Sequence, residues 1–129
     1  MKPVLDYIDA LNGGDPQVIA ACVTEDFVNE HTSAVGHSLV GRAAYRERLP
    51  KFLGDMQGLH YDVEDVIVDG DRCALAYTMT ATWSGHPFRI RGMFRFRVRD
   101  GLIAHRVDYW DSLDFMKQTR QYPVSGTRD

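Results

Sequence analysis

The sequence predicts an α+β fold in which N-terminal helices pack on one face of a curved antiparallel sheet. Apolar residues recur at helical spacings of three and four through residues 1–56, and they alternate with a period of two from residue 59 to residue 110. A sheet that curves over helices in this order forms a cone with an open mouth. The 129 residues contain no repeat or linker, so we expect a single domain over 1–129.

Two amphipathic helices are predicted at the start of the chain. The first carries Val4, Tyr7, Ile8 and Leu11 on one face and ends at Gly13–Gly14, which places Tyr7 on the inward side. The second begins after an Asp15 cap with Pro16 at its first position, and its apolar stripe is Val18, Ile19, Cys22 and Val23.

A short extended segment is expected over 27–31, followed by a third helix. This helix has an apolar stripe at Tyr45, Leu49, Phe52, Leu53 and Met56. Pro50 lies within the stripe and should kink or split the helix, because proline lacks the N–H that the preceding turn requires.

Turn residues at Asp69–Asp71, Ser84–Pro87 and Asp100–Gly101 divide the second half of the chain into strands. We predict strands at about 60–68, 72–83, 87–99 and 102–110. A terminal helix over 112–120 should follow an Asp111 cap, with a polar tail from Gln121 onward.

The third predicted strand alternates strictly between apolar residues and arginines. Phe88, Ile90, Gly92, Phe94, Phe96 and Val98 occupy one face, and the other face carries Arg89, Arg91, Arg95, Arg97 and Arg99. We expect the arginines to form an ion-paired surface that faces solvent or a second copy of the chain. Gly92 inside the strand is expected to mark a bulge or a bend.

Composition argues against several classes of partner. The 18 acidic residues outnumber the 15 lysines and arginines, which disfavours nucleic acid as a partner. No apolar run approaches the roughly 20 residues of a membrane span, and the N-terminus has no signal-peptide core, so a cytoplasmic location is expected. Cys22 and Cys73 are predicted to be free thiols.

No spacing of histidines or carboxylates is typical of a metal site, so no metal is expected. The sequence also lacks a glycine-rich phosphate loop and a nucleophile elbow. We therefore predict no cofactor.

Four stretches of the chain resemble one superfamily of proteins. They are Tyr7–Asp15, Thr24–Phe27, Gly41–Arg42 and Asp100–Asp111. They are similar to the nuclear transport factor 2-like superfamily, and most of all to its SnoaL-like group, whose relatives include polyketide cyclases, ketosteroid isomerases and limonene epoxide hydrolases. The resemblance spans nearly the whole chain. It implies a cone-shaped α+β barrel with an apolar cavity for a hydrophobic small molecule, usually in a homodimer.

The resemblance to ketosteroid isomerases is partial. Tyr7 falls where these enzymes have the tyrosine that donates to the developing enolate oxygen, and His31 falls where they have the aspartate base. Their second oxyanion donor, a protonated aspartate, aligns with Gly92. The resemblance therefore does not imply a standard steroid isomerase.

The resemblance to limonene epoxide hydrolases is closest near the C-terminus. The catalytic aspartate of these enzymes falls on Asp108, within a segment similar to theirs. Their Arg-x-Asp pair, which positions the attacking water, aligns with the apolar residues Met79 and Ala81. Epoxide hydrolysis is therefore the third hypothesis for this chain.

The candidate catalytic residues are Asp108, His31 and Tyr7. On a cavity wall, burial would raise the pKa of Asp108 while Arg106 or His31 would lower it, leaving the carboxylate near the range of a base. Asp108 could instead be ion-paired to an arginine of the neighbouring strand. His31 could be a structural residue, and Tyr7 could be a core tyrosine.

The residues expected to line the cavity are largely aromatic. They are Asn29, Tyr77, Met79, Trp83, Ile90, Phe94 and Trp110. The favoured hypothesis is an enzyme that transfers protons on an apolar, carbonyl-bearing ligand, as an isomerase, cyclase or dehydratase does. The alternative is a non-catalytic domain for ligand binding or dimerisation.

Overall fold

The structure is a computed structural model, and it describes residues 1–122. The predicted polar tail therefore lies almost entirely outside the described residues. In chain order the elements are α1 Lys2–Gly13, α2 Pro16–Ala20, β1 Val23–His31, β2 Leu39–Val40, α3 Arg42–Asp55, β3 Gln57–Asp69, β4 Arg72–Trp83, β5 His86–Arg99, β6 Leu102–Trp110 and α4 Ser112–Gln118. No helix in this part of the chain is long and apolar enough to cross a membrane.

The predicted signals at the helix ends are confirmed. Gly14 adopts a left-handed conformation with φ of 74°, and its N–H donates to the Ala10 carbonyl at the end of α1. At the start of α2, the Asp15 carboxylate accepts a hydrogen bond from the Gln17 N–H at 2.9 Å.

Helix α3 is not split at Pro50, so of the two expected effects of the proline only a kink stays a prediction. The helix runs from Arg42 to Asp55 with the proline inside it. Tyr45 and Leu49 are buried before the proline, and Phe52 packs against the core after it. This packing holds the turns on both sides of the missing backbone hydrogen bond.

The six strands form one curved, unclosed sheet in the order β2-β1-β6-β5-β4-β3. Its concave face covers α1, whose stripe of Val4, Tyr7, Ile8 and Leu11 is at most 2% exposed. The α+β fold is therefore as predicted. The sheet is not wholly antiparallel, however, because β1 and β6 pair in parallel.

The parallel pairing of β1 with β6 determines which side chains of the two strands are neighbours. Asn29 lies opposite Arg106, and His31 lies opposite Asp108. Residues in such pairs on one face of a sheet are direct neighbours. Polar residues that are far apart in the sequence therefore meet at the carboxyl ends of these two strands.

The arginines of β5 lie on the convex face, as predicted, and several are ion-paired. Arg91 lies 2.7 Å from Glu64, Arg97 lies 3.0 Å from Asp71, and Arg99 pairs with Asp26. Pairing of this face with a second copy of the chain stays a prediction.

Gly92 does not form a bulge, so that part of the expectation is wrong, and a bend there stays a prediction. It pairs in regular register with Tyr77 on β4 and with Trp110 on β6, and the irregularity of this strand lies between Arg97 and Val98. Tyr77 crosses over Gly92 on the concave face. A Cβ at position 92 would overlap the Tyr77 hydroxyl and lie 2.8 Å from the Tyr109 carbonyl oxygen.

We therefore expect Gly92→Ala to destabilise the protein by about 1–3 kcal/mol, because the tyrosine ring or the strand must shift to admit a methyl group. The free energy of unfolding in urea measures this effect. Gly54→Ala is the control, because an added Cβ at position 54 on α3 lies within 4 Å of no atom other than its chain neighbours and the backbone of its own helix. Equal stability of the two variants would contradict the crossing of Tyr77 over Gly92.

Candidate active site

A cavity of about 510 Å³ lies beside α3 and α4 at the carboxyl ends of β1 and β6. Most of its wall is apolar, from Val35, Leu49, Phe52, Met56, Trp83, Trp110, Phe115 and Met116. Asn29, His31 and Arg106 form a polar cluster on the remaining wall. The size and lining are typical of a site for a small organic molecule.

Arg106 is at the centre of the polar cluster and is only 6% exposed. Its Nε and Nη2 atoms donate to Asn29 Oδ1 at 3.1 and 2.8 Å. Its Nη1 atom donates to the Tyr7 hydroxyl at 2.8 Å. Burial disfavours the charge, but the nearby tyrosine hydroxyls and the Asp108 carboxylate raise the pKa of Arg106 above its ordinary value. Arg106 is therefore a fixed buried cation.

Tyr7 lies beneath the cavity and is completely buried. Its hydroxyl accepts from Arg106 and lies 2.6 Å from the hydroxyl of Tyr45, which lines the cavity. Either tyrosine can donate in this pair. If Tyr7 donates to Tyr45, the hydroxyl proton of Tyr45 is free to bind a ligand. Tyr7 itself contacts the cavity only through Tyr45 and Arg106. Burial raises the pKa of both tyrosines, which keeps them protonated.

His31 lines the cavity, and both of its ring nitrogens face hydrogen-bond donors. Trp110 Nε1 donates to Nδ1 at 3.2 Å, and Arg106 Nη2 lies 3.4 Å from Nε2. Burial, together with the charges of Arg106 and Arg48, lowers the pKa of His31 to about 3, so the ring is neutral.

A neutral imidazole accepts at only one nitrogen and carries a proton on the other. We assign the proton to Nε2, because the bond from Trp110 to Nδ1 is the shorter of the two contacts. Within residues 1–122 that N–H has no acceptor in hydrogen-bonding distance. His31 Nε2 and Arg106 Nη2 are then two neighbouring donors on the wall of one cavity.

Asp108 lies behind His31 and is 5% exposed. Its Oδ1 accepts from the Tyr77 hydroxyl at 2.6 Å. Its Oδ2 lies 3.7 Å from His31 Nδ1 and has no hydrogen-bond partner in the described part of the chain. Burial raises the pKa of Asp108 to about 6, although Arg106 and the bond from Tyr77 act to lower it.

The alternative in which Asp108 pairs with an arginine of β5 does not occur. Those arginines project from the convex face of the sheet, whereas Asp108 lies on the concave face with Arg106 and Trp110. The carboxylate is held by a tyrosine and remains close to the cavity.

The residues predicted to contact a ligand fall into two groups. Asn29, Trp83 and Trp110 line the cavity. The others lie in the core outside its lining, where the rings of Tyr77 and Phe94 pack against Tyr61 at 5.0 and 5.3 Å; this group comprises Tyr77, Met79, Ile90 and Phe94. Aromatic packing thus fills the part of the cone around these four residues.

Arg106 and Tyr45 have roles that the sequence did not predict. The sequence indicated Arg106 only as a neighbour of Asp108, and Tyr45 only as part of a helical stripe. One signal was present, because Arg106 shares the inward face of β6 with Ala104 and Trp110. An arginine on the inward face of a strand is unusual unless other buried groups bind its guanidinium.

Among residues 1–122, no group of three or more histidine, cysteine, aspartate or glutamate side chains is arranged to hold a metal ion. The two cysteines are unpaired, with Cys73 buried and Cys22 partly buried.

Comparisons with known proteins agree with this architecture. The profile of a family described as a SnoaL-like domain matches residues 4–106. No curated protein matches the sequence.

Several solved structures have the same fold. A protein of ketosteroid isomerase-like fold from Catenulispora acidiphila DSM 44928, in complex with trimethylamine, has a TM-score of 0.85 and 17% identity, and 93% of each chain is covered. An LEH-like epoxide hydrolase from M. tuberculosis has a TM-score of 0.79 and 21% identity over 98% of this chain and 92% of that one.

A proposed polyketide cyclase from Xanthomonas campestris pv. campestris has a TM-score of 0.75 and 23% identity, covering 92% of this chain and 94% of that one. At these identities the similarity establishes the fold and leaves the chemistry to the residues of the site.

Proposed function

The chain belongs to the SnoaL-like domain family, and from that premise we propose that it is an enzyme that transfers a proton on an apolar, carbonyl-bearing small molecule. The family and the fold support a role in binding or converting small molecules. The proton-transfer chemistry is our proposal, and it rests on the polar cluster of the cavity.

One observation carries the proposal: His31 Nε2 and Arg106 Nη2 lie 3.4 Å apart on the wall of the same cavity. With its proton assigned to Nε2, the imidazole N–H has no acceptor among residues 1–122. A carbonyl oxygen of a ligand could accept from both groups. Donors that are fixed before the ligand arrives stabilise negative charge as it develops on such an oxygen.

The proposed base is Asp108. In the proposed step the ligand reaches past the His31 ring, behind which Asp108 lies, and the unpartnered Oδ2 takes a proton from the carbon next to the carbonyl. The C–H bond breaks, an O–H bond forms, and the electron pair moves to the carbonyl oxygen. A pKa of about 6 leaves this carboxylate ionised near neutrality and close to the range of an effective base.

The enolate can then react in more than one way. Return of the proton to a different carbon completes an isomerisation. Attack of the enolate carbon on a second carbonyl completes an aldol-type cyclisation, and loss of a hydroxyl group next to the enolate completes a dehydration. The site supports the first step that these reactions share.

A non-catalytic binding role is the second candidate, because Asp108 does not itself line the cavity. Epoxide hydrolysis has less support. Met79 and Ala81 are apolar and buried, so they cannot supply the second carboxylate that activates water in the enzymes this chain resembles.

The test is exchange of α-protons for deuterium in a panel of aryl and alkyl ketones, followed by proton NMR in D₂O. We expect catalysed exchange by the native protein and a rate about 10²-fold lower in His31→Phe, because one donor to the oxyanion is lost. His105→Phe is the control, since His105 lies outside the cavity lining and pairs with Glu30. An unchanged rate in a folded His31→Phe variant would contradict the proposed role of His31. Failure of the native protein to catalyse any exchange would favour the binding role.

A further inference from the structure

The mouth of the cavity carries a cation that the proposed mechanism does not use. Arg48 lies on α3 one turn from Tyr45 and Phe52, and it is exposed while lining the cavity. Its guanidinium is therefore at the boundary between the apolar wall and solvent. Within residues 1–122 it has no carboxylate within 4 Å.

The other cations that line the cavity are engaged by groups of the protein. Lys51 bonds to Asp55 at 2.8 Å on the same helix. Arg106 is buried and donates to Asn29 and Tyr7, and Asp108 on the same strand face offsets its charge without a direct ion pair. This leaves Arg48 as the exposed charge at the mouth that a ligand could neutralise.

We propose that the natural ligand is an organic acid with an apolar body, and that Arg48 binds its carboxylate at the mouth of the cavity. This inference rests on the proposed function and names the substrate class of that same site. The carbonyl would lie at Arg106 and His31, the apolar body along Leu49 and Phe52, and the carboxylate at Arg48.

Two further features support a ligand with this polarity. The guanidinium fork suits a carboxylate, which it can bind through two parallel hydrogen bonds. The charge of Arg48 also reaches the interior, because it contributes to the lowered pKa of His31. A ligand that brings a negative charge to the mouth would enter a field that favours it.

The test compares 4-oxo-4-phenylbutanoate, an aryl keto acid, with its methyl ester, which has the same body without the charge. Binding is measured by isothermal titration calorimetry and by tryptophan fluorescence. The fluorescence reports on the cavity because both tryptophans of the chain, Trp83 and Trp110, line it. The variants are Arg48→Gln and, as a matched control, Arg46→Gln, which changes an exposed arginine of the same helix outside the cavity lining.

We expect the native protein to bind the acid more tightly than the ester. Arg48→Gln should weaken binding of the acid about three- to tenfold at low salt and leave the ester unchanged. The loss should shrink at about 0.5 M salt, which screens a charge at the mouth. Arg46→Gln should leave both affinities unchanged.

Three results would overturn the inference: no binding of the acid, equal binding of acid and ester by the native protein, or a preference for the acid that Arg48→Gln does not reduce. The α-proton exchange of both compounds separates this inference from the proposed function. Exchange of the ester as fast as that of the acid would retain the proton transfer and reject the anionic ligand. Preferential binding of the acid without any exchange would retain the anionic ligand and reject the proton transfer.

Discussion

Replacing Arg106 with methionine is expected to destabilise the protein by about 3–5 kcal/mol near pH 8, because it removes the positive charge that accompanies the buried Asp108 carboxylate. It also removes the donors to Asn29 Oδ1, which loses both of its bonds from the guanidinium, and to the Tyr7 hydroxyl, which keeps only its bond with Tyr45. The free energy of unfolding in urea measures the loss.

The loss should depend on pH with a definite sign. Arg106 lowers the pKa of Asp108, so without it that pKa rises above about 6 in the folded state. An ionised Asp108 is then costly in the folded protein and a protonated one is not. The deficit of the variant should therefore grow as pH rises through about 6 and shrink as pH falls toward 4.

Arg95→Met is the matched control for this variant. Arg95 is exposed on the convex face, where it donates to the Tyr109 hydroxyl, and its loss should change stability by about 0.5 kcal/mol or less. A deficit in Arg106→Met that is the same at pH 5 and pH 8 would show that side-chain volume, and not the charge beside Asp108, determines the effect.

Asp108→Asn is expected to have the largest effect on activity. It should lower the rate of α-proton exchange by about 10²–10⁴-fold, because an amide oxygen cannot take up the proton at neutral pH. Ligand binding, followed by tryptophan fluorescence, should persist in this variant. Loss of exchange with retained binding would indicate that Asp108 is the base, whereas loss of both would indicate that it shapes the cavity.

The pH profile gives an independent test of the base. In the native protein the exchange rate should rise with pH through about 6, where Asp108 loses its proton. His31 does not explain this limb, because its lowered pKa of about 3 keeps it neutral across the range. The residual exchange catalysed by Asp108→Asn should not show this rise of the rate with pH.

Asp62→Asn is the control, since Asp62 is an exposed carboxylate that contacts His60 on β3. It should retain both the rate and the pH limb. Full activity of Asp108→Asn on a compound that the native protein exchanges would reject Asp108 as the base.

Local patterns account for most of the fold that was predicted. The spacing of Val4, Tyr7, Ile8 and Leu11 predicted α1 and its buried face, and the alternation along β5 predicted which side of the sheet carries the arginines. These predictions succeed because burial of one face of a helix or strand imposes its period directly on the sequence. The split expected at Pro50 is the exception, since α3 continues through the proline and packs against the core on both sides of it.

The roles of the site residues stay predictions, but the structure shows where each residue lies. His31 and Asp108 are neighbours across β1 and β6, whereas Tyr7 lies one hydrogen bond beneath the cavity, behind Tyr45. Gly92 suggested a bulge because local reasoning cannot detect a tyrosine crossing from the next strand. Several residues that were expected to line the cavity lie in the packed core instead. Periodicity indicates that a residue faces inward, but not whether neighbouring side chains fill the space in front of it.

Sequence patterns thus predicted most of the elements, their buried faces and the charged convex surface of the sheet. They did not predict β2, and they carried the second helix too far, since α2 ends at Ala20 and Val23 lies in β1. The parallel register of β1 against β6 is visible only in the folded structure, where it puts Asn29 beside Arg106 and His31 beside Asp108. That register pairs strands separated by most of the chain, and a one-residue slip would turn each side chain to the other face. The chemistry proposed for this protein depends on that long-range contact, which no local pattern encodes.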